Sequence, residues 1–354
     1  MNQQIRFCKS FDGTRLAYAL TGEGPALVKA PHWLTHLEYE WQSPIWKPWI
    51  EALSRNHRLL RMDERGCGLS DRDMADISFE AWVRDLEAVV DAAGLERFAL
   101  FGHSQGGAIA VEYAVRHPER VTHLVFLGAY ARGSMQRDPT PQRIDELQAL
   151  LKLVEIGWGR NDPSYRQIFS TGFLPGGTLE QLNSMSELQL KSATPEGAVR
   201  ILRSMFSIDI REAAARVKCP TLILHARHDR RVPFEEGRLL AGLVPGARFV
   251  PLDTDNHILL AHEPAFRQFF EELEAFVPRP AGAGNAGAFP QLTAREAEVL
   301  ERIAQGLDNA QIAAHLGISE KTVRNNITHI FDKLAVENRS QAIVLARNNG
   351  FGKA

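Results

Sequence analysis

Short apolar runs alternate with amphipathic stretches over the first three quarters of the chain. In chain order the runs are ALVKA, RLLRM, RFALFG, VTHLVFLG, TLILHA and RFVPLD. Each has the length of a buried strand, while stretches such as 79–93 and 108–116 carry apolar residues at helical spacing. Ahead of them, IRFCKSF and RLAYAL flank Asp12-Gly13, a dipeptide that favours the φ > 0 turns of a tight hairpin. The pattern predicts a hairpin followed by βαβ units, and therefore an α/β protein with a mostly parallel sheet covered on both faces.

Two segments interrupt this alternation. Residues from about 131 to 207 contain no strand-like run and are rich in Leu and Gln, which predicts a helical cap inserted into the α/β domain. Residues 278–289 consist mostly of Pro, Gly, Ala and Asn, and predict a flexible linker. We therefore expect a domain of residues 1–277 and a small all-α domain of residues 290–354.

The composition limits the class of protein. The chain has 354 residues, of which 44 % are hydrophobic and 24 % charged, and this composition excludes a disordered or fibrous protein. The net charge of −2 provides no overall basic field, and no apolar run reaches the roughly 18 residues that a membrane span needs. The first residues lack the apolar segment of a secretory signal, and three widely spaced cysteines argue against a disulfide framework. We expect a cytoplasmic protein with no membrane attachment.

A candidate nucleophile lies in the sequence Gly102-His103-Ser104-Gln105-Gly106, between a predicted buried strand and a helix-forming segment. This is G-x-S-x-G in a strand–turn–helix context, where the turn is so sharp that glycines avoid clashes and the serine hydroxyl is raised above the sheet. The alternative is a Gly-Ser-rich turn in which the serine merely caps the helix. The context on both sides favours the nucleophile.

A serine hydroxyl needs a general base, and the base needs an acid that orients it. Asp229 closely follows the run TLILHA, and His257 follows RFVPLD. Both are therefore predicted at the carboxyl ends of strands, where open α/β sheets place their ligands. The chain order agrees with a triad of Ser104, Asp229 and His257. Asp253 and Asp255 remain rival candidates for the acid.

Other histidines and tryptophans cluster in the first domain. His32, His36, His225 and His228 lack the spacing that metal ligands usually have on one helix or strand face, and we expect neither a metal nor a cofactor. Four tryptophans between residues 33 and 49 are expected to pack in the core, with one or two lining an apolar pocket under the cap.

Helix start and stop signals mark the C-terminal segment. Thr293 and Asp308 each precede a Glu or Gln by three residues, which makes them candidate capping boxes. Gly317 separates predicted helices over 309–315 and 320–334. Two helices joined by a short glycine turn predict a helix-turn-helix unit.

The second helix of this unit has two distinct faces. Val323, Ile327, Ile330 and Leu334 recur at helical spacing and are expected to face the core. The remaining surface carries short polar and cationic side chains suited to phosphates and base edges. The candidate DNA-binding residues are Lys321, Thr322, Arg324, Asn325, Thr328 and Lys333. An ordinary solvated face is the alternative, but it leaves the near absence of acidic residues from 321 to 330 unexplained.

The segment from Arg6 to Val277 resembles the α/β-hydrolase family, on the G-x-S-x-G motif and on the DERGCGLSD stretch of residues 63–71. The resemblance implies an α/β-hydrolase fold with a helical cap, and an oxyanion hole that uses the backbone N–H of Gln105. Family members often have His-Gly in the loop after the first central strand, whereas this chain has Pro31-His32-Trp33. The resemblance therefore implies the N–H of Trp33 as the second donor, with a side chain in place of a glycine at the mouth of the site.

The segment from 290 to 346 is closely similar to the LuxR-type (GerE-like) DNA-binding domain. It departs at Gln311, where Glu is usual, and at Asn326, where His is common. The resemblance implies double-stranded DNA as a partner and dimer contacts through the last helix, at about 340–347. Because basic and acidic residues are nearly balanced in this domain, one copy should bind DNA moderately, which favours a homodimer on two half-sites.

Three functions agree with these features. The first is a transcriptional regulator whose hydrolase-like domain binds, and hydrolyses, a small acyl ligand (an ester, lactone or thioester) to control DNA binding. The second is a working serine hydrolase of the esterase or lactonase type with an appended DNA-binding domain. The third is a regulator whose hydrolase-like domain is a catalytically dead dimerisation module, and the complete set of triad residues argues against it. The first function is favoured.

Overall fold

The computed structural model describes residues 2–158, 160, 163–277, 289 and 291–352. Internal contacts divide the chain into two compact units, Met1–Val277 and Pro278–Ala354. The predicted linker of residues 278–289 lies outside the described residues except for Phe289. Among the described residues, no helix is both long and apolar enough to cross a membrane.

The first unit is built on an eight-stranded sheet with the order β1-β2-β4-β3-β5-β6-β7-β8. The strands are β1 (Gln4–Lys9), β2 (Arg15–Thr21), β3 (Ala26–Lys29), β4 (Arg58–Met62), β5 (Phe98–His103), β6 (Val121–Leu127), β7 (Thr221–Ala226) and β8 (Arg248–Leu252). The pairs β1–β2 and β2–β4 are antiparallel, and every other neighbouring pair is parallel. The predicted hairpin and the mostly parallel sheet are confirmed.

From β3 onward, one or more helices separate each strand of this unit from the next. The helices are α1 (Leu37–Glu40), α2 (Trp46–Ser54), α3 (Phe79–Ala92), α4 (Gln105–Arg116), α5 (Pro141–Gly157), α6 (Pro163–Phe173), α7 (Leu179–Ser192), α8 (Pro195–Phe206), α9 (Arg211–Ala214), α10 (Phe234–Leu243) and α11 (Pro264–Phe276). Every residue of β5 is buried, as expected for a strand covered on both faces. Helices α5 to α8 fall between β6 and β7, in the segment where the sequence predicts a cap.

A buried ion pair holds the loop that follows β4. Arg65 Nε lies 2.6 Å from Asp85 Oδ2 on α3, and both side chains are almost completely buried. A second carboxylate, Asp12 in the β1–β2 hairpin, lies 2.9 Å from Arg65 Nη1. Asp63, at the start of the loop, accepts the backbone N–H groups of Leu37 and Leu69. These contacts place Glu64, between Asp63 and Arg65, at a defined position beneath the start of α4, where it accepts a hydrogen bond from Gln105.

The second unit contains α12 (Ala294–Ala304), α13 (Asn309–Leu316), α14 (Glu320–Leu334) and α15 (Arg339–Asn348). Both predicted capping boxes are present, at Thr293 with Glu296 and at Asp308 with Gln311. Gly317 ends α13 in the left-handed conformation at φ 62°, and Ser319 caps α14. The predicted helix-turn-helix order is therefore observed, and Gln311 performs the capping function of the usual glutamate.

Candidate active site and DNA-binding surface

Ser104 occupies a strained turn between β5 and α4. Its backbone has φ 52° and ψ −122°, outside the conformations that a residue with a side chain prefers. The turn is possible because its neighbours are glycines: a Cβ on Gly102 would lie 2.6 Å from Gly107 Cα, and one on Gly106 would lie 2.7 Å from Pro31 O. The Ser104 N–H donates to Leu127 O at 2.9 Å, which holds the turn against β6. This geometry agrees with the sequence prediction of a nucleophile on a sharp turn.

Asp229 and His257 meet at the carboxyl ends of β7 and β8. The Nδ1 of His257 lies 2.7 Å from Asp229 Oδ2, and neither side chain is exposed to solvent. Asp229 Oδ1 accepts the backbone N–H groups of Arg231 and Val232 at 2.7 and 2.9 Å. Burial alone would raise the pKa of Asp229, but the charge of His257 and the hydrogen bonds hold that pKa below its usual value. The acid is therefore ionised and fixes the imidazole.

The rival acid Asp255 points elsewhere. Its Oδ2 lies 3.6 Å from Arg230 Nη2, and about half of its side chain is exposed. Sequence proximity to His257 thus does not bring this carboxylate to the imidazole.

The other nitrogen of His257 is left available. Its Nε2 is buried and has no hydrogen-bond partner among the described residues, and no hydrogen bond joins it to the Ser104 hydroxyl. An unprotonated Nε2 is the atom that a general base uses, and such contacts often tighten only when substrate binds.

Residues that sequence reasoning did not single out also hold His257. The backbone N–H groups of His257 and Ile258 donate to Phe173 O at the end of α6, at 3.0 and 3.3 Å. The Phe173 ring lies 5.7 Å from the His257 ring, and the His103 ring stacks on His257 at 5.0 Å. A Cβ on Gly128 would lie 2.8 Å from His257 Cε1. The helical segment above the sheet therefore contacts the triad loop directly.

The two predicted oxyanion donors lie on adjacent segments. Gln105 is the first residue of α4, and Pro31 O packs against Gly106 in the same turn. Trp33 is buried, and its ring meets Trp158 edge-on at 5.7 Å. The donor roles of the Trp33 and Gln105 N–H groups stay predictions.

A cavity of about 60 Å³ reaches Ser104. Its wall combines apolar, hydroxyl and cationic side chains. Among the lining residues are Tyr130, Ser134, Arg137, Arg143, Leu147, Leu150, Phe173, Met205, Phe206 and Arg231. Most of these residues lie within 131–207, so the segment predicted as a cap forms most of the wall of the candidate site.

The surface of α14 has the predicted division of faces. Val323, Ile330 and Leu334 are buried and Ile327 partly so. The exposed candidate DNA-binding residues are Lys321, Thr322, Arg324, Asn325, Thr328 and Lys333. Lys321 and Asn325 have no side-chain partner among the described residues, whereas Arg324 lies 3.5 Å from Glu320 and Thr322 contacts the Ser319 cap.

Lys333 differs from the other candidates. Its Nζ lies 2.9 and 2.6 Å from the two carboxylate oxygens of Glu296. The same carboxylate completes the capping box of α12. Lys333 therefore ties α14 to α12, and its contact with DNA stays a prediction.

Two segments of the chain match known protein families. Residues 36–264, more than half of the chain, match the alpha/beta hydrolase fold. The chain belongs to the alpha/beta hydrolase fold family. Residues 290–346 match the bacterial regulatory proteins of the luxR family. The two resemblances read from the sequence are confirmed.

Relatives of the hydrolase unit are named as hydrolases. The putative carbamate hydrolase RutD of Azorhizobium caulinodans is 30 % identical over 226 residues, which are 62 % of this chain and 82 % of that protein. The AB hydrolase superfamily protein YisY of Bacillus subtilis is 30 % identical over 249 residues, which are 67 % of this chain and 86 % of YisY. The esterase EaEST from Exiguobacterium antarcticum superposes with a TM-score of 0.66 at 24 % identity, over 77 % of this chain and 99 % of the esterase, and shows the fold alone.

The hydrolase unit also holds a buried acid beside its candidate oxyanion site. Glu64 Oε1 accepts a hydrogen bond from Gln105 Nε2 at 3.0 Å. Glu64 Oε2 and Gln105 Oε1 are both buried without a partner among the described residues. Burial raises the pKa of Glu64 to about 8. The carboxyl is therefore protonated at neutral pH. No group of three or more potential metal ligands occurs among the described residues.

We expect Glu64→Gln to stabilise the hydrolase unit increasingly as the pH rises. The folded wild type keeps a proton that the unfolded chain releases near pH 4.5, so its stability falls between about pH 4.5 and about pH 8. The glutamine keeps the shape and does not ionise, which removes about 1.4 kcal/mol of this loss for each pH unit in that range. Urea unfolding of both proteins at pH 5 and pH 8 measures the difference in their free energies of unfolding. Tryptophan fluorescence reports on the hydrolase unit, because all six tryptophans lie in the first unit. An equal difference at both pH values would contradict the prediction.

Proposed function

We propose that this protein is a DNA-binding transcriptional regulator whose hydrolase unit binds and hydrolyses a small acyl ligand, an ester, lactone or thioester, and so controls DNA binding. The observation that carries the proposal is the buried Asp229–His257 pair, whose imidazole stacks on the ring of His103 next to the strained Ser104, in one chain with a luxR-family segment. In this proposal, residues 1–277 and 290–354 act as separate domains, joined by the linker of residues 278–289.

The reaction uses the triad in its usual roles. Ser104 Oγ attacks the acyl carbonyl while His257 Nε2 takes its proton, and Asp229 stabilises the imidazolium that forms. The N–H groups of Trp33 and Gln105 stabilise the oxyanion. His257 then returns the proton to the leaving oxygen or sulfur, and an acyl group remains on Ser104. Water, deprotonated by His257, releases the acid and restores the serine.

The same contacts offer a route for regulation. A ligand in the cavity would touch residues of 130–206, and Phe173 connects that segment to the His257 loop. The effect of ligand binding on DNA affinity then passes through domain contacts or through a homodimer on two half-sites, rather than through the linker alone.

A pre-steady-state assay tests the catalytic part. The purified protein is expected to release a burst of p-nitrophenol from p-nitrophenyl acetate, close to one equivalent per chain, followed by slower turnover. DNA affinity is then measured with and without this ester at a fixed protein concentration. A folded protein that hydrolyses no ester would contradict the catalytic part. Equal DNA affinities in the presence of a hydrolysed ester would contradict the regulatory part.

Lys321→Ala is expected to weaken DNA binding and to reduce its salt dependence. A lysine that neutralises one phosphate releases about one counterion, so the slope of log K against log salt should fall by about 1 for each chain bound. Fluorescence anisotropy with a mixed-sequence duplex between about 50 and 200 mM salt measures the slope. Asn325→Ala, which removes no charge, and Lys218→Ala, on an exposed site of the hydrolase unit, should leave the slope unchanged. Equal slopes for Lys321→Ala and wild type would show that Lys321 does not neutralise a phosphate.

A further inference from the structure

The cavity at Ser104 is rich in cationic side chains. Three of its lining side chains are arginines, Arg137, Arg143 and Arg231. The cavity is small, at about 60 Å³, so any ligand within it lies close to at least one guanidinium.

The Arg231 side chain has no directly bound acidic partner among the described residues. Its guanidinium has no hydrogen bond and no ion pair with any described residue, and it lies over the Phe173 ring at 4.6 Å. Burial lowers the pKa of Arg231; Arg143 and Arg137 act in the same direction, while Tyr130 and Asp229 oppose it. Both oxygens of Asp229 already accept hydrogen bonds from His257 and from backbone N–H groups. A partly buried cation without a partner is costly, and its cost is removed when an anion binds.

The acidic residues near Arg137 and Arg143 are already paired with other arginines and do not neutralise Arg231. Arg137 Nε donates to Arg132 O at 2.8 Å and lies 3.7 Å from Glu236 Oε1. Glu236 is already bound to Arg132 at 2.9 Å. Arg143 pairs with Glu146 at 2.7 Å where both side chains are about half exposed. The wall of the cavity therefore keeps an excess of positive charge.

We propose that the acyl ligand of this site carries a carboxylate, which Arg231 binds while Arg137 and Arg143 add favourable potential. The inference rests on the proposed function, because it names the class of ligand that Ser104 attacks. The planar guanidinium can donate two parallel hydrogen bonds to a carboxylate. The apolar side chains of Leu147 and Phe206 in the same wall suit the short carbon chain between that carboxylate and the scissile carbonyl.

Inhibition by a small dicarboxylate tests this inference. Hydrolysis of p-nitrophenyl butyrate is measured with glutarate, or with the neutral diamide glutaramide, as inhibitor. Glutarate is expected to compete with the ester far better than glutaramide does. Arg231→Gln should weaken glutarate inhibition by about 10- to 100-fold, the effect of losing hydrogen bonds to a charged group. Arg231→Lys keeps the positive charge but cannot donate two parallel hydrogen bonds, and it should restore part of the glutarate inhibition.

Arg230→Gln is the matched control. Arg230 is adjacent in sequence but lies on the surface, near Asp255 and outside the cavity lining. Its replacement should leave glutarate inhibition unchanged. Tryptophan fluorescence verifies that each variant is folded, because all six tryptophans lie in this unit.

Three results would overturn the inference: equal inhibition by glutarate and glutaramide, unchanged glutarate inhibition in folded Arg231→Gln, or the same inhibition by chloride at equal ionic strength. Failure of the proposed function is a separate result, since p-nitrophenyl butyrate would then not be hydrolysed at all. In that case, calorimetric titration of glutarate into wild type and Arg231→Gln decides the inference. Equal binding to both, or to neither, would refute it.

Discussion

Ser104→Ala is expected to abolish the p-nitrophenol burst and to lower turnover of p-nitrophenyl acetate by about 10⁶-fold, the scale on which removal of a serine nucleophile acts. Without Oγ no acyl-enzyme forms, and His257 Nε2 has no hydroxyl to deprotonate. The fold should survive, because the Ser104 side chain does not cap α4 and its backbone contact with Leu127 is retained. DNA binding in the absence of ester should also be unchanged. Stopped-flow absorbance and a DNA titration measure the two properties.

The control for this variant is Ser207→Ala. Ser207 is exposed, directly follows the last residue of α8 and is not part of the cavity lining. Its hydroxyl donates a hydrogen bond to Arg203 O. Its loss should leave both burst and turnover within about threefold of wild type, the range of ordinary surface substitutions. If Ser104→Ala retained the burst, another side chain would be the nucleophile, and Ser104 would have no part in forming the acyl-enzyme.

Asp229→Asn is expected to lower kcat by about 10⁴-fold while the ester still binds, as happens when the imidazole loses its orienting carboxylate. The amide can donate a hydrogen bond to His257 Nδ1, and this favours the tautomer with the proton on Nε2. That nitrogen then cannot accept the proton of Ser104. Steady-state kinetics should show the loss in kcat rather than in KM.

Asp255→Asn is the matched comparison for this variant. Its carboxylate lies near the surface Arg230 rather than the imidazole, so kcat should stay within about threefold of wild type. A large loss for Asp255→Asn together with a small one for Asp229→Asn would transfer the role of the acid to Asp255.

Local signals explain why much of the fold was predictable from the sequence. The turn at Ser104 is specified by the glycines beside it, because any Cβ at Gly102 or Gly106 would overlap neighbouring backbone atoms. The helix starts at Thr293 and Asp308 are likewise specified within three residues. The alternation of buried runs and amphipathic stretches indicated the parallel sheet, since each strand and helix must bury its own apolar face.

Other features depend on residues far apart in the chain, and no local pattern marks them. Glu64 meets Gln105 across 41 positions, and Lys333 meets Glu296 across 37. Asp229 rather than Asp255 reaches His257 because β7 and β8 are neighbours in the sheet.

The sequence by itself determined the two families, the strained serine and the polar face of α14, because these depend on spacing along one strand, turn or helix. Only the tertiary structure decided which charges have partners: Lys333 is bound to Glu296, whereas Arg231 lies over Phe173 without an acidic partner among the described residues. The physical reason is that the cost of a buried charge depends on the distance to its partner in space, which the sequence does not contain.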